Sequence, residues 1–236
     1  MDYFLLKGPK SEQLRATDLA RPFEYSPCPS VVTHNKIQRA NDLRLEVKHS
    51  EHNETMIWSY GGYLTVHSSL TKGMRDAGLT GFQLRPTTVQ FRDGELSQDY
   101  SELIVTGWAG IARPESGIKL IESCSGCFRK KYSALEDADQ LIDWEQWSEE
   151  DFFIVWPLVK FILITARAAE FLKDSKVRSF TLQKLQSIEV RNLPDLQKGG
   201  AGFGVSHYRR LCLATRRSNM DGRWDWNKLH EFCFER

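Results

Sequence analysis

Residues 63–84 and 161–182 carry one pattern of residue types twice, at a constant offset of 98 (180 − 82 = 98). Aligned without a gap, Asp76 meets Asp174, Phe82 meets Phe180 and Leu84 meets Leu182, while Met74 faces Leu172 and Leu79 faces Val177. Self-similarity at a fixed spacing restricts the fold before any single motif is considered, because two copies of one pattern imply two copies of one local structure. In the first copy Leu64–Val66 has strand character and His67–Ser69 offer capping groups. Leu70, Met74 and Ala77 share a helical face, and Gly78 supplies a stop. In the second, Ile162–Ile164 is the strand, Thr165 the N-cap, and Ala168, Phe171 and Leu172 the inward face. A strand-helix-strand segment of this length predicts a right-handed βαβ unit with parallel strands. The expected fold class is therefore α/β, with mixed α+β as its neighbour: two strand-helix-strand repeats packed as a pseudo-symmetric pair, followed by a C-terminal appendage.

Around the repeats, Tyr3–Lys7, Leu43–Val47, Met56–Tyr60, Val89–Phe91 and Leu103–Trp108 read as strands. Pro22, Pro27 and Pro29 argue for irregular chain between Ser11 and Asn41. Ser133 with Glu136 three residues on is a capping-box pattern and predicts a helix to about Trp147. Ser148 with Asp151 predicts a second, short element ending at Pro157. The reading divides the chain into an α/β domain over 1–191, a Gly-rich linker or loop over 192–204, and an extension over 205–236 packed back on the body.

Lys and Arg number 32 against 31 Asp and Glu, a balance that argues against a protein built to coat nucleic acid. The most apolar run, Phe152–Ala166, is interrupted by Pro157 and Lys160, so no membrane span is expected. The opening MDYFLLKGPK lacks the pattern of a secretion signal, and five cysteines leave one over from any pairing. Both point to reduced thiols and the cytoplasm.

Cys124-Ser-Gly-Cys127 is the sharpest local signal: two thiolates two residues apart can grip one tetrahedral metal from a tight turn, which Gly126 permits. Zinc is the cofactor this spacing suggests. Four ligands are needed, and the candidates for the others are Cys28 with His34, His230 with Cys233, and Cys212. A redox pair and two inert buried thiols are the competing readings. Gly199–Gly204 lacks the strand, the following helix and the Lys-Ser/Thr pair of a phosphate loop, and reads as a linker or lid. His67 has Thr165 as its counterpart, which favours capping over proton transfer. Glu145, Glu149, Glu150 and Asp151 lie near Trp144 and Trp147; a solvated helix face and a contact surface for a basic partner are the two readings of that run.

From Tyr63 to Leu185 the order of motifs resembles a known family. Ala77-Gly78-Leu79-Thr80-Gly81-Phe82 comes first, then the Cys124/Cys127 pair, then Asp151-Phe152-Phe153 leading through Ile164-Thr165 to Phe171-Leu172. The chain is similar to the double-CxxCG proteins of bacteria, a group similar to immunity proteins of polymorphic or contact-dependent toxin systems. The first CxxCG of that family falls where this chain has Cys28-Pro-Ser-Val31, and the second has Phe128 in place of its glycine. The resemblance implies a non-enzymatic protein that binds and neutralises a cognate toxin by occlusion, its metal either lost or held by ligands completed from His34 or Cys233. Trp144, Trp147, Glu149, Glu150, Trp224 and Trp226 are the candidate contact residues. The alternatives are a zinc-binding or general interaction scaffold, and an enzyme with a pocket between the repeats that uses His67.

Overall fold

Leu43, Leu45 and Val47 alternate with Arg44 and Glu46, and the three apolar side chains are buried while Arg44 faces water. This period-two burial recurs along the chain and decides its class. The computed structural model describes residues 2–190 apart from 12–14, 21–22, 40, 49–53 and 178. Its strands are, in chain order, β1 (Tyr3–Lys7), β2 (Arg15–Ala20), β3 (Phe23–Pro27), β4 (Asn35–Arg39), β5 (Leu43–Val47), β6 (Met56–Ser59) and β7 (Leu64–His67). After helix α1 (Ser68–Asp76) come β8 (Phe82–Phe91), β9 (Leu96–Val105), β10 (Gly107–Ile111), β11 (Leu120–Ser123) and β12 (Lys130–Tyr132). Then follow β13 (Phe152–Trp156), β14 (Ile162–Thr165), helix α2 (Ala166–Asp174) and β15 (Thr181–Lys184).

The fold is β-rich, which overturns the α/β expectation. Six strands close a barrel in the order β2-β5-β8-β9-β7-β6, and five form an open sheet, β10-β13-β14-β1-β15. The strands flanking each helix are not neighbours. β7 and β8 both run antiparallel to β9, which lies between them, and β14 and β15 both run antiparallel to β1. A crossover pattern in sequence reports the direction of its two strands and says nothing of a third strand inserted between them. The predicted helix over 133–147 is also absent. Instead of capping a helix, the Ser133 hydroxyl donates to Gly117 O at 3.1 Å, and its oxygen accepts from Lys119 N at 2.9 Å. The element expected after Ser148 is strand β13, and the proline-rich stretch before Asn41 holds β2, β3 and β4. Pro27 is the last residue of β3, and Pro29 lies in the bend beyond it, outside both strands.

What recurs at the offset of 98 is a strand and helix inside a larger β unit. Helix α1 buries Leu70, Thr71 and Met74, and α2 buries Ala168, Ala169 and Leu172, each pair 98 apart. Both N-caps sit where expected: the His67 ring accepts from Ser69 N and the Thr165 hydroxyl from Ala168 N. A Cβ on Gly73 would lie 3.2 Å from the ring of Phe171, its own counterpart, so the helices meet where equivalent positions face each other. Pairing senses match as well. β2-β6-β7-β9-β8 runs parallel, antiparallel, antiparallel, antiparallel, and so does β10-β13-β14-β1-β15. In each unit a two-stranded hairpin, β3–β4 or β11–β12, is inserted after the first strand.

One buried cluster joins the barrel, both helices and one face of the sheet, with Trp58, Met74, Leu103, Phe152, Ile164 and Leu172 among its members. A second fills the barrel around Leu45, Val89 and Tyr100, and a third covers the other sheet face around Leu141, Phe153 and Leu163. Asp151, 4% exposed, ties the units together at the start of β13. Its carboxylate accepts from Thr80 N at 3.0 Å, Thr165 Oγ1 at 2.8 Å and Arg167 Nε at 3.0 Å, and Arg167 Nη2 reaches both that carboxylate and Gly78 O. The linker and extension expected over 192–236 lie outside the described residues.

Candidate metal centre

Each hairpin turns on a cysteine placed directly after its first strand. Cys28 follows β3 and Cys124 follows β11. Each loop is closed through that cysteine's own N–H, Cys28 N to His34 O at 3.0 Å and Cys124 N to Arg129 O at 2.8 Å. The tips meet, so that Cys28, His34, Cys124 and Cys127, all buried, place their ligand atoms within 4.8 Å of one another. The first unit supplies Cys28 and His34, and the second supplies Cys124 and Cys127.

Cys28 Sγ lies 3.7 Å from Cys124 Sγ, and Cys127 Sγ lies 3.7 Å from His34 Nδ1. A disulfide would need sulfurs about 2.05 Å apart. A tetrahedral ion with metal–sulfur bonds of about 2.3 Å and metal–nitrogen bonds of about 2.0 Å separates sulfurs by about 3.8 Å and sulfur from nitrogen by about 3.5 Å. The two observed spacings match two of a tetrahedron's six edges, and all four ligand atoms lie within 4.8 Å of one another. Four protein donors would complete the coordination and leave no open position.

The surrounding groups favour the thiolate at two of the three cysteines and oppose it at the third. Burial raises the Cys28 thiol, but the N–H groups of Ser30 and Val31 together with the Cys124 and Cys127 thiols hold it below the ordinary range; Ser30 N lies 3.4 Å from the sulfur. The His34 ring, with the Cys127 and Gly126 N–H groups, lowers the Cys124 thiol. Burial pushes the Cys127 thiol up to about 11. His34 turns Nδ1 to the centre, and its Nε2 lies 3.6 Å from Glu122 Oε1, longer than a hydrogen bond but within an ion pair's reach of a carboxylate able to orient the ring. Gly126 lets the loops approach: a Cβ there would stand 2.8 Å from Ser30 Cβ and 3.0 Å from Cys28 Sγ. Phe128 has φ of +58°, the left-handed conformation that a glycine adopts freely.

The structure thus brings together Cys28, His34, Cys124 and Cys127; His230, Cys233, Cys212, Trp224 and Trp226 lie outside the described residues. Trp144 is 43% exposed and lies on irregular chain rather than a helix, its ring 4.4 Å from that of Tyr3 and 5.7 Å from that of Trp147. Trp147 is half-buried and packs on Phe153. Glu149 is exposed and Glu150 half-buried. His67 caps α1 through Nδ1, 3.2 Å from Ser69 N. The sequence reading missed Glu122 as a partner of His34, and it treated Asp151 as part of an acidic face. The Asp-Phe-Phe run was the signal for Asp151, since a carboxylate directly before two wholly buried rings requires internal partners. No helix among the described residues is long and apolar enough to cross a membrane. No protein-family model matches the chain, and no curated protein matches it.

Proposed function

We propose that this chain is a zinc-stapled immunity protein that binds a cognate bacterial toxin and neutralises it by occlusion. The supporting observation is the meeting of the two hairpins. In the resemblance, two CxxC motifs define the family; here the remnant of the first, Cys28 with His34, packs against the second in one closed set of donors. Cys3His is a zinc donor set, and a centre with four protein ligands serves structure rather than a reaction. Zinc would hold the two inserted hairpins to each other, and the protein would act by presenting a surface. Val32 is 99% exposed at the tip of the first hairpin, and Leu120 and Ile121 are 51% and 61% exposed on the second, so apolar side chains beside the centre face outward. Trp144 adds an aromatic anchor elsewhere. An occluding interface of about 1,200–2,000 Å² would need more than either patch alone.

The test is co-expression with the effector domain encoded by the neighbouring toxin gene. The proposal expects restored growth and a stable complex on gel filtration. Unrelieved toxicity, with both proteins soluble, would leave a zinc-binding scaffold unconnected with toxins as the better reading.

A further inference from the structure

The two five-strand units differ at one place. In the first, β5 lies parallel to β8 and closes the barrel by pairing with β2. In the second, β15, the strand equivalent to β8, pairs with β1 on one side, and no strand among the described residues lies on its other side, so the backbone groups of Thr181–Lys184 that point away from β1 form an open edge. The opposite edge is covered. Ser148 N donates to Trp108 O at 2.8 Å, Trp108 N donates to Ser148 Oγ at 3.0 Å, and Ala109 bridges Trp147.

A cavity of about 1070 Å³ between barrel and sheet is lined by Thr181, Leu182 and Gln183 of that edge strand. A polypeptide backbone offers donors and acceptors in alternation, and an open strand edge selects the same chemistry. The lining carries Lys7, Lys10, Arg15 and Lys160 against Asp18 and Glu102, and Glu102 lies 3.8 Å from Arg85. The surplus of cations favours acidic side chains.

We propose that the β15 edge and the adjoining cavity take up an extended, acidic segment of a partner polypeptide as an added strand, in the place β5 holds in the first unit. The sequence of β5, Leu-Arg-Leu-Glu-Val, shows the fitting pattern, with apolar side chains at alternate positions. The proposal rests on the binding role above only for the identity of the chain that supplies the strand.

Hydrogen exchange on the full chain tests it, with a peptide of alternating glutamate and valine as probe and its lysine–valine counterpart as control. The acidic peptide at millimolar concentration should slow exchange along 181–184 by at least about tenfold, and the basic one should not. Lys7→Glu with Lys160→Glu, both exposed side chains, should weaken the acidic peptide by at least about tenfold without changing Tm. Absence of protection along 181–184, or equal binding of the basic peptide, overturns the proposal. The two readings fail separately. Neutralisation of the toxin with protection elsewhere removes the strand-edge site and keeps immunity; protection by the peptide without neutralisation does the reverse.

Discussion

Replacing Asp151 by asparagine probes the joint between the two units with almost no change in shape. One carboxylate oxygen accepts from Thr165 Oγ1 and Arg167 Nε, the other from Thr80 N and Arg167 Nη2. An amide presents one oxygen and one NH2, so whichever way the new side chain turned, its NH2 would face a donor. Arg167 is 59% exposed and can turn to water, so its share is discounted. The remaining cost is a donor left unsatisfied at a buried position and the loss of charge assistance, together about 2–3 kcal/mol. For a chain of this size that lowers Tm by about 4–12 °C. The effect depends on pH in one direction. Burial opposes ionisation of Asp151, but the Arg167, Thr165 and Thr80 hydrogen bonds outweigh it and hold the carboxyl below its ordinary value. A depressed folded pKa contributes stability that is full above the unfolded value, about 3.9, and is lost as pH falls through the folded value. The gap in Tm between the wild-type protein and Asp151→Asn should therefore be constant from pH 7 to about 5 and narrow below about pH 4. Melting curves of both proteins across that range decide it. A gap under about 1 kcal/mol at neutral pH, or one that persists at the acid end, would refute the role given to this carboxylate.

Glu122→Gln should weaken zinc by about tenfold in competition with a chromophoric chelator, since it removes the charge facing His34 Nε2 and leaves all four donors; unchanged affinity would show that Glu122 does not orient the ring. Gly126→Ala should weaken zinc by at least about tenfold in the same titration, because the new Cβ forces Ser30 and Cys28 away from the second loop. At position 128, glycine should be more stable than alanine by about 1 kcal/mol in urea denaturation, reversing the usual order, because both remove the ring and only glycine accepts the positive φ without strain.

Local structure was legible where one side chain pattern answers to one environment. Leu43–Val47 and Tyr3–Lys7 read as strands and are strands with the same bounds, and His67 and Thr165 cap the helices predicted after them. Connectivity was not legible. That β1, the first strand of the chain, lies between β14 and β15 is a contact across more than 150 residues, and the offset of 98 carries no trace of it. The helix expected from Ser133 failed because Ser133 has nearer partners at Gly117 and Lys119, so its capping pattern was coincidental. At the centre, Cys124 and Cys127 declared themselves by spacing, whereas Cys28 and His34 are six residues apart and become a pair only when Cys28 N–H closes on the His34 carbonyl. The duplication marked the scaffold, and the ligands sit on hairpins inserted into it.

The metal content of the full chain, purified without a metal-binding tag or chelator and with zinc in the growth medium, tests the central claim most directly. A closed centre shared by the two hairpins predicts one zinc per chain by mass spectrometry, and its loss in both Cys28→Ser and Cys124→Ser variants. A zinc content near zero, or one zinc retained when Cys28 is replaced, would contradict it.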